Sequence, residues 1–414
     1  MTKTKLIGLF ILLYGLLCLL SLNRHSQAKL NTYHAELWAD KAGYNVYLPA
    51  LFIYNFDAKQ LPTKLEANTG NGFIVDSISN KLITKYPYGV ALLQSPFWLV
   101  AHTFSSQKDG YSLYYQKSID FAGSFYLTLG LFFLYFFIRR YQTVTISVLL
   151  SILIALSTGI FYYGIYETGM SHIYSFCCLS IILFLITDVH YFQKYFFCLL
   201  IVSVIYIIIR PINSVFLVPL FLFFSWQQHM WLQLKQSFTV KNSLLFVLIL
   251  GVLLMPQLLY YKYAFGSFFT MSYKNEPFVF PSLTRIFELL FSPNNGLLIY
   301  YPVIVLLAVY YFLIKNSYNK LVFFLLALYV IIYAAWWSLS LGCGFGHRAI
   351  NDIFLILFLP IILSKQKLSP FLLSALFLFA LINLKFILSF DTCLHYSNQW
   401  NFTEYFAILF GEFK

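Results

Sequence analysis

Charge is scarce in this chain of 414 residues: Asp, Glu, Lys and Arg together make up 10% of it, against roughly 25% in soluble domains. With 60% hydrophobic residues, a water-soluble globule could not hide the apolar surface it would carry. Cysteine is sparse as well. Of six cysteines, Cys18, Cys177, Cys178 and Cys198 fall inside apolar segments, where a thiol behaves as a small hydrophobe. Only Cys343 and Cys393 are placed to pair outside such segments. No CxxC or HExxH spacing occurs, so a dedicated metal site has no support in the sequence. Acidic residues number 15 against 27 basic ones, a net charge of +12. The basic residues are scattered singly between apolar runs and form no stripe of the kind that binds nucleic acid.

What the chain has in abundance is long apolar runs. Leu6 to Leu22, Phe121 to Ile138 and Leu321 to Leu341 approach or reach the roughly 17 to 25 residues that cross a bilayer as a helix. Helices are required there because hydrocarbon satisfies no backbone polar group. The first run follows Lys3 and Lys5, but no convincing small-x-small cleavage site comes after it, so it reads as a retained first helix.

Twelve runs are candidates: 5–22, 89–104, 119–138, 143–164, 172–187, 195–209, 212–226, 242–264, 296–314, 321–341, 350–363 and 370–390. If all crossed, with Lys3 and Lys5 inside, Arg139 and Arg140 would fall outside and every later basic cluster would invert with them. If 89–104 stays on the outer face, then Arg139, Arg140, Lys194, Lys235, Lys241, Lys315, Lys320, Lys365 and Lys367 all fall inside. That segment is short and interrupted by Gln94, Pro96 and His102, which suits an interfacial or re-entrant helix. The expectation is an all-α bundle of about eleven transmembrane helices in a single integral membrane domain over 1–414. A first outer loop spans 23–118, the bundle 119–390 and an outer tail 391–414. Within the loop, 59–81 is rich in Asn, Gly and Lys and reads as flexible, whereas 33–56 and 84–104 are dense in aromatics and should pack onto the bundle. No inverted repeat is evident, which weakens a transporter reading.

Most candidate chemistry lies on the outer side. Glu36 and Asp40 follow helix 1, and their i, i+4 spacing shares one face if the segment is helical. A carboxylate near the apolar boundary has a raised proton affinity and can serve as a general base. Trp38, Tyr44 and Tyr47 nearby suit both interface anchoring and sugar stacking. Arg210 precedes Pro211, which breaks the helix and presents the guanidinium at its end, a geometry fit for phosphate. Glu167 and His172 occupy a short loop where they form a hydrated pair or a helix cap. Glu276 and Arg285 are further outer-side charges. The stretch LGCGFGHR puts His347 and Arg348 after closely spaced glycines, a weak anion-binding pattern, with Asp352 just beyond.

The order of these features resembles the GT-C superfamily of membrane glycosyltransferases. A short inner end and helix 1 lead to a long outer loop with an acid near YLPA, then TKYPYGVALLQSPF, then a helix ending in Arg-Arg. The likeness is greatest to the branch that contains protein O-mannosyltransferases and the lipid A aminoarabinose transferase. It covers the architecture of most of the chain, while motif similarity is confined to the first outer loop and its flanks. The resemblance implies a polyprenyl-phosphate-linked sugar as donor, an unknown protein, lipid or glycan as acceptor, no nucleic acid partner, and no required metal or other cofactor. By position Asp40 matches the family's catalytic acid. Lys85, Tyr86, Pro87 and Tyr88 resemble its Lys-Pro-Pro-Leu-like element, with Tyr86 separating Lys85 from a single proline. Arg210 resembles in position a basic residue near the lipid phosphate. Glu36, Tyr44, Tyr86, Tyr88, Glu167, His172, His347 and Arg348 are the wider substrate-lining candidates. The implied location is the plasma (inner) membrane, with the N-terminus cytoplasmic and the C-terminus outside. Alternatives are an O-antigen ligase or polymerase type of enzyme, a transporter or lipid flippase, and a structural scaffold.

Overall fold

The computed structural model describes residues 3–227, 239–274, 276–314, 316–364, 368–391 and 401–411. Lys235, Lys315, Lys365, Lys367 and Cys393, used above for topology and pairing, lie outside the described residues.

The chain is mostly helical. Its first half comprises α1 (Lys3–Arg24), α2 (Asp40–Asn45), α3 (Tyr47–Phe52), α4 (Leu65–Asn68), α5 (Gly89–Phe104), α6 (Leu113–Arg139), α7 (Val144–Leu156), α8 (Ile160–Ile165), α9 (Ser171–Ile186) and α10 (Val189–Lys194). There follow α11 (Phe196–Ile209), α12 (Asn213–Gln227), α13 (Val240–Phe265), α14 (Leu283–Phe291), α15 (Leu297–Tyr300) and α16 (Val303–Leu313). The last are α17 (Ser317–Ala334), α18 (Phe354–Leu357), α19 (Leu359–Ile362), α20 (Pro370–Ser389) and α21 (Phe402–Phe410). Among the described residues, five helices are long and apolar enough to cross a membrane: α1, α6, α13, α17 and α20. Five shorter apolar helices, α7, α9, α11, α12 and α16, accompany them.

Local chemistry sets the helix ends. Thr239 and Ser369 accept backbone N–H bonds from Asn242 and Leu372 as N-caps, and Pro370 takes the first position of α20, where its missing N–H has no partner to lose. Gly266 closes α13 in the left-handed conformation at φ 80°, the commonest C-terminal stop. Pro211 ends α11 as expected, leaving Arg210 as its extended C-cap. The helix expected over 89–104 runs over Gly89–Phe104. Its polar Gln94 is fully buried, accepting from Asn45 at 2.8 Å and donating to Tyr174 at 3.0 Å.

The chain divides into two compact units, residues 1–132 with 163–274 and residues 133–162 with 275–414. In the first unit, one apolar core gathers Leu37, Val46, Leu65, Phe73, Leu82, Trp98, Tyr115 and Tyr260. The segment 59–81, expected to be flexible, is instead structured. It holds α4 and the first strand of an antiparallel hairpin, β1 (Ile74–Asp76) with β2 (Lys81–Ile83), in which Val75 faces Leu82. Leu65 and Phe73 are buried in the core, and Leu61 and Val75 pack against it, so the apolar side chains of a largely polar stretch pin it. In the second unit, Asn383 of α20 donates to the carbonyls of Leu156 and Thr158 at 2.7 and 2.8 Å, and Tyr311 of α16 donates to Leu357 O at 2.6 Å.

Candidate functional site

In the first unit, the segment Thr84–Tyr88 between β2 and α5 is fixed at nearly every residue. Thr84 N–H donates to Tyr260 OH at 2.6 Å, and Thr84 Oγ1 donates to Gly43 O at 2.9 Å. Ser272 Oγ donates to Lys85 O at 2.7 Å, Tyr47 OH to Tyr86 O at 2.6 Å, and Tyr88 N–H to Gln257 Oε1 at 2.9 Å. A segment tied from α2, α3, α13 and the stretch after α13 has little freedom to reorient its side chains.

From that frame Tyr86 reaches Asp40. Its phenol donates to Asp40 Oδ1 at 2.5 Å, and its buried ring stacks obliquely on Tyr44 at 4.4 Å. Burial and the nearby Asp40 charge push the Tyr86 phenol well above its ordinary pKa, so it stays a donor throughout the usual pH range. Lys85 Nζ lies 5.4 Å from the Tyr86 ring centre and 5.3 Å from that of Tyr273, within cation–π range of both. Asp40 and Lys85 thus contact the same phenol. Both are half-exposed, as is Tyr273.

Arg210 belongs to the neighbourhood of this segment through the backbone. Gly89 starts α5 directly against α11: a Cβ there would lie 2.6 Å from Ile209 N and 2.7 Å from Ile208 C, so only glycine permits the approach. Lys85–Tyr88 and Arg210 therefore flank one close helix contact.

Asp40 opens α2, and the residue before it is strained. Ala39 has φ 47° and ψ −123°, a conformation that glycine adopts freely and other residues rarely do. Three contacts hold it there. Ala39 N–H donates to Thr69 O at 2.7 Å, its carbonyl accepts from Gly43 N–H at 3.0 Å, and Lys41 N–H closes a turn onto Trp38 O at 3.1 Å. A Cβ on Gly72 would collide with the Ala39 carbonyl oxygen, so the turn is also braced from outside.

Ion pairs clamp both sides of Asp40. Lys41 Nζ meets Glu167 Oε2 at 2.9 Å, with both side chains largely buried. On the other side, Lys117 Nζ meets Glu36 Oε1 at 2.6 Å and Asp120 Oδ2 at 3.7 Å, while His25 Nδ1 meets Asp120 Oδ1 at 2.8 Å. Leu37 N–H donates to Gln116 Oε1 at 2.8 Å, and Ser21 and Thr168 hydroxyls donate to Asp120 Oδ1. Burial foremost, and then the adjacent Asp120 carboxylate, push Glu36 above the usual carboxylate range, with His25 and Lys117 opposing them. The donor atoms of His25, Glu36 and Asp120 lie within 4.8 Å of one another, a spacing fit for a metal. Lys117 already places one positive charge between the two carboxylates.

Several expected placements change. Glu36 and Asp40 do not share a helix face, because α2 begins at Asp40 and the backbone turns at Ala39; Glu36 faces α6 and Asp40 faces Tyr86. Glu167 and His172 are not a hydrated pair. Both are buried, Glu167 against Lys41 and His172 against the Tyr163 ring at 4.7 Å. Tyr44 is buried and donates to Ser171 Oγ at 3.2 Å. Tyr88 is turned onto α13, its hydroxyl donating to Leu253 O at 2.5 Å. His347 and Arg348 belong to the second unit, where His347 is fully buried, hydrogen-bonded through Nδ1 to the Tyr329 hydroxyl. Arg285 also belongs there, with its guanidinium bonded to the Ala334 and Trp336 carbonyls.

Tyr273, Ala39, Lys41, Lys117 and Asp120 were not among the residues singled out from sequence. Asp120, an acid at the head of an apolar run, was the one with a visible signal. No protein-family model, curated protein or solved structure matches the chain.

Proposed function

We propose that this chain is a membrane glycosyltransferase of GT-C type, taking a sugar from a polyprenyl-phosphate carrier and passing it to an acceptor on the outer face of the membrane. About eleven spans, an inner N-terminus and an outer loop over 23–118 complete the reading, with the plasma membrane as the location. The observation that supports it best is the contact of Asp40 and Lys85 with one buried phenol, Tyr86. A base and an anion-binding cation held on a shared rigid support is what a single displacement at a sugar carbon needs.

In this mechanism Asp40 accepts the proton of an acceptor hydroxyl or amine as that atom attacks the anomeric carbon. The bond from that carbon to the carrier phosphate breaks, and the electron pair leaves with the phosphate. Lys85 and Arg210 stabilise the charge that develops there. Attack and departure on opposite faces invert the anomeric centre. The phosphate is already a good leaving group, so the step runs without a metal. Of the wider candidates, only Tyr86 keeps a role at the reacting centre, as the donor that orients Asp40.

The test is transfer from a panel of polyprenyl-phosphate sugars by purified protein in proteoliposomes. Asp40→Asn is expected to lower the rate by about 10² to 10⁴, the usual contribution of a general base, while carrier-phosphate binding persists. Transfer by Asp40→Asn at the wild-type rate overturns the assignment.

A further inference from the structure

Two short amphipathic helices in the second unit are fastened to the ends of its long apolar helices. α14 is held against the end of α17: Arg285 Nε donates to Ala334 O at 2.7 Å, and Arg285 Nη2 donates to Trp336 O. The strand-like stretch just before α14 adds Val279 N–H to Ala335 O at 2.7 Å and a Phe278–Trp336 ring contact at 5.0 Å. α21 is held against the end of α20 by the Tyr405–Phe386 ring contact at 4.8 Å and by Lys385 Nζ donating to Gly411 O at 2.8 Å. Tyr405 OH donates to Ile299 O at 2.9 Å, in the short helix α15 that packs on α14. Both amphipathic helices therefore lie at the same end of this unit.

Each presents an apolar stripe that is exposed among the described residues. On α14 the i, i+4, i+8 residues Leu283, Phe287 and Phe291 are 85%, 64% and 37% exposed, bordered by exposed Thr284 and Glu288. On α21 the same spacing gives Phe402, Phe406 and Phe410, at 46%, 49% and 78%. Leu289 of α14 and Tyr405 of α21 are buried against the rest of the unit. The exposed stripes continue an apolar surface already present on the long helices, where Phe324 and Ile331 of α17 and Phe377, Leu381 and Leu388 of α20 are exposed.

We infer that α14 and α21 lie in the plane of the membrane–water interface and insert their Leu and Phe stripes among lipid acyl chains. Their attachment points decide the occupant. Ala334 and Ser389 are the last residues of helices long enough to cross a bilayer, so a helix pinned beside them sits where hydrocarbon gives way to headgroups. An apolar stripe bordered by a hydroxyl and a carboxylate suits that depth, with the ring side chains below and the polar edge in the headgroups. This placement does not depend on the proposed activity.

The test is nitroxide accessibility in the full-length protein, reconstituted in phosphatidylcholine–phosphatidylglycerol vesicles. Labels are placed through Phe287→Cys and Phe406→Cys in a background where Cys198, Cys343 and Cys393 are Ser. Ile331→Cys serves as the lipid reference and the fully exposed Ile78→Cys as the water reference. Both test labels are expected to collide with oxygen far more than with a water-soluble nickel chelate, giving a ratio close to that at Ile331 and several-fold above that at Ile78. A ratio like that at Ile78 overturns the inference and leaves a stripe open to a soluble partner. Protection from both reagents also overturns it, and spin–spin broadening would then identify a second copy of this chain as the cover.

Discussion

The Tyr86 phenol donates to Asp40 Oδ1 at 2.5 Å from a segment whose backbone is tied at Thr84, Lys85, Tyr86 and Tyr88, so the direction of the Asp40 carboxylate is set by that frame. A donor to the charged carboxylate favours ionisation and holds down its proton affinity. Tyr86→Phe removes that donor and keeps the ring against Tyr44. The rate of sugar transfer should fall by about 10- to 100-fold, equivalent to the loss of a hydrogen bond to a charged group, with KM nearly unchanged. Because Asp40 then binds its proton more tightly, the acid limb of the pH–rate profile should move to higher pH. A profile that drops uniformly, with no shift of that limb, would mean that Tyr86 only packs.

The backbone at Ala39 supplies a second prediction, on stability. A non-glycine residue in such a region costs of order 1–3 kcal/mol, and Ala39 is held at φ 47° by bonds to Thr69, Gly43 and the Trp38–Lys41 turn. Ala39→Gly should therefore raise the thermal midpoint in detergent, by an amount equivalent to about 1 kcal/mol, where glycine ordinarily destabilises. The same change loosens the residue before Asp40, so the transfer rate should fall while the protein becomes more stable. A lower midpoint for Ala39→Gly would contradict the strain.

What could be read from the sequence was the pattern that hydrocarbon and chain stiffness impose. Apolar length, the break at Pro211 and the extent of the 89–104 helix are local properties, and the structure has helices with those ends. The pairings around Asp40 are not local. Lys117 and Asp120 lie about a turn apart at the head of an apolar helix, and their partners His25 and Glu36 are more than 80 residues earlier. No spacing rule connects them. Tyr273 reaches Lys85 and Tyr86 from nearly 190 residues away, beside the bond from Ser272 to the Lys85 carbonyl. The apolar stripes of α14 and α21 are legible in principle, since Leu283, Phe287 and Phe291 repeat at helical spacing, but both helices are short beside the long apolar runs. Glu36 and Asp40 would share a face only on one helix, and the backbone turn at Ala39 separates them; a positive φ at an alanine is not a signal that residue type announces.

The last prediction concerns the buried charge cluster at Glu36. Its carboxyl is pushed above the usual range, from an ordinary value near 4.5, by burial and by Asp120, while Lys117 and His25 act the other way. A carboxyl that binds its proton more tightly when folded stabilises the fold fully below its ordinary pKa and loses that contribution as pH rises through the folded value. Glu36→Gln replaces the acid with a neutral side chain of the same shape that has no proton to lose. The other groups of the cluster are common to both proteins, so the difference in thermal midpoint between them isolates Glu36. Wild type should be favoured most at acidic pH, and its advantage should shrink as pH climbs from about 4.5 towards neutral, although the Lys117 contact persists. An advantage that grows with pH over that interval would mean that the Lys117 ion pair at 2.6 Å outweighs burial, and that Glu36 is held ionised as a plain structural partner.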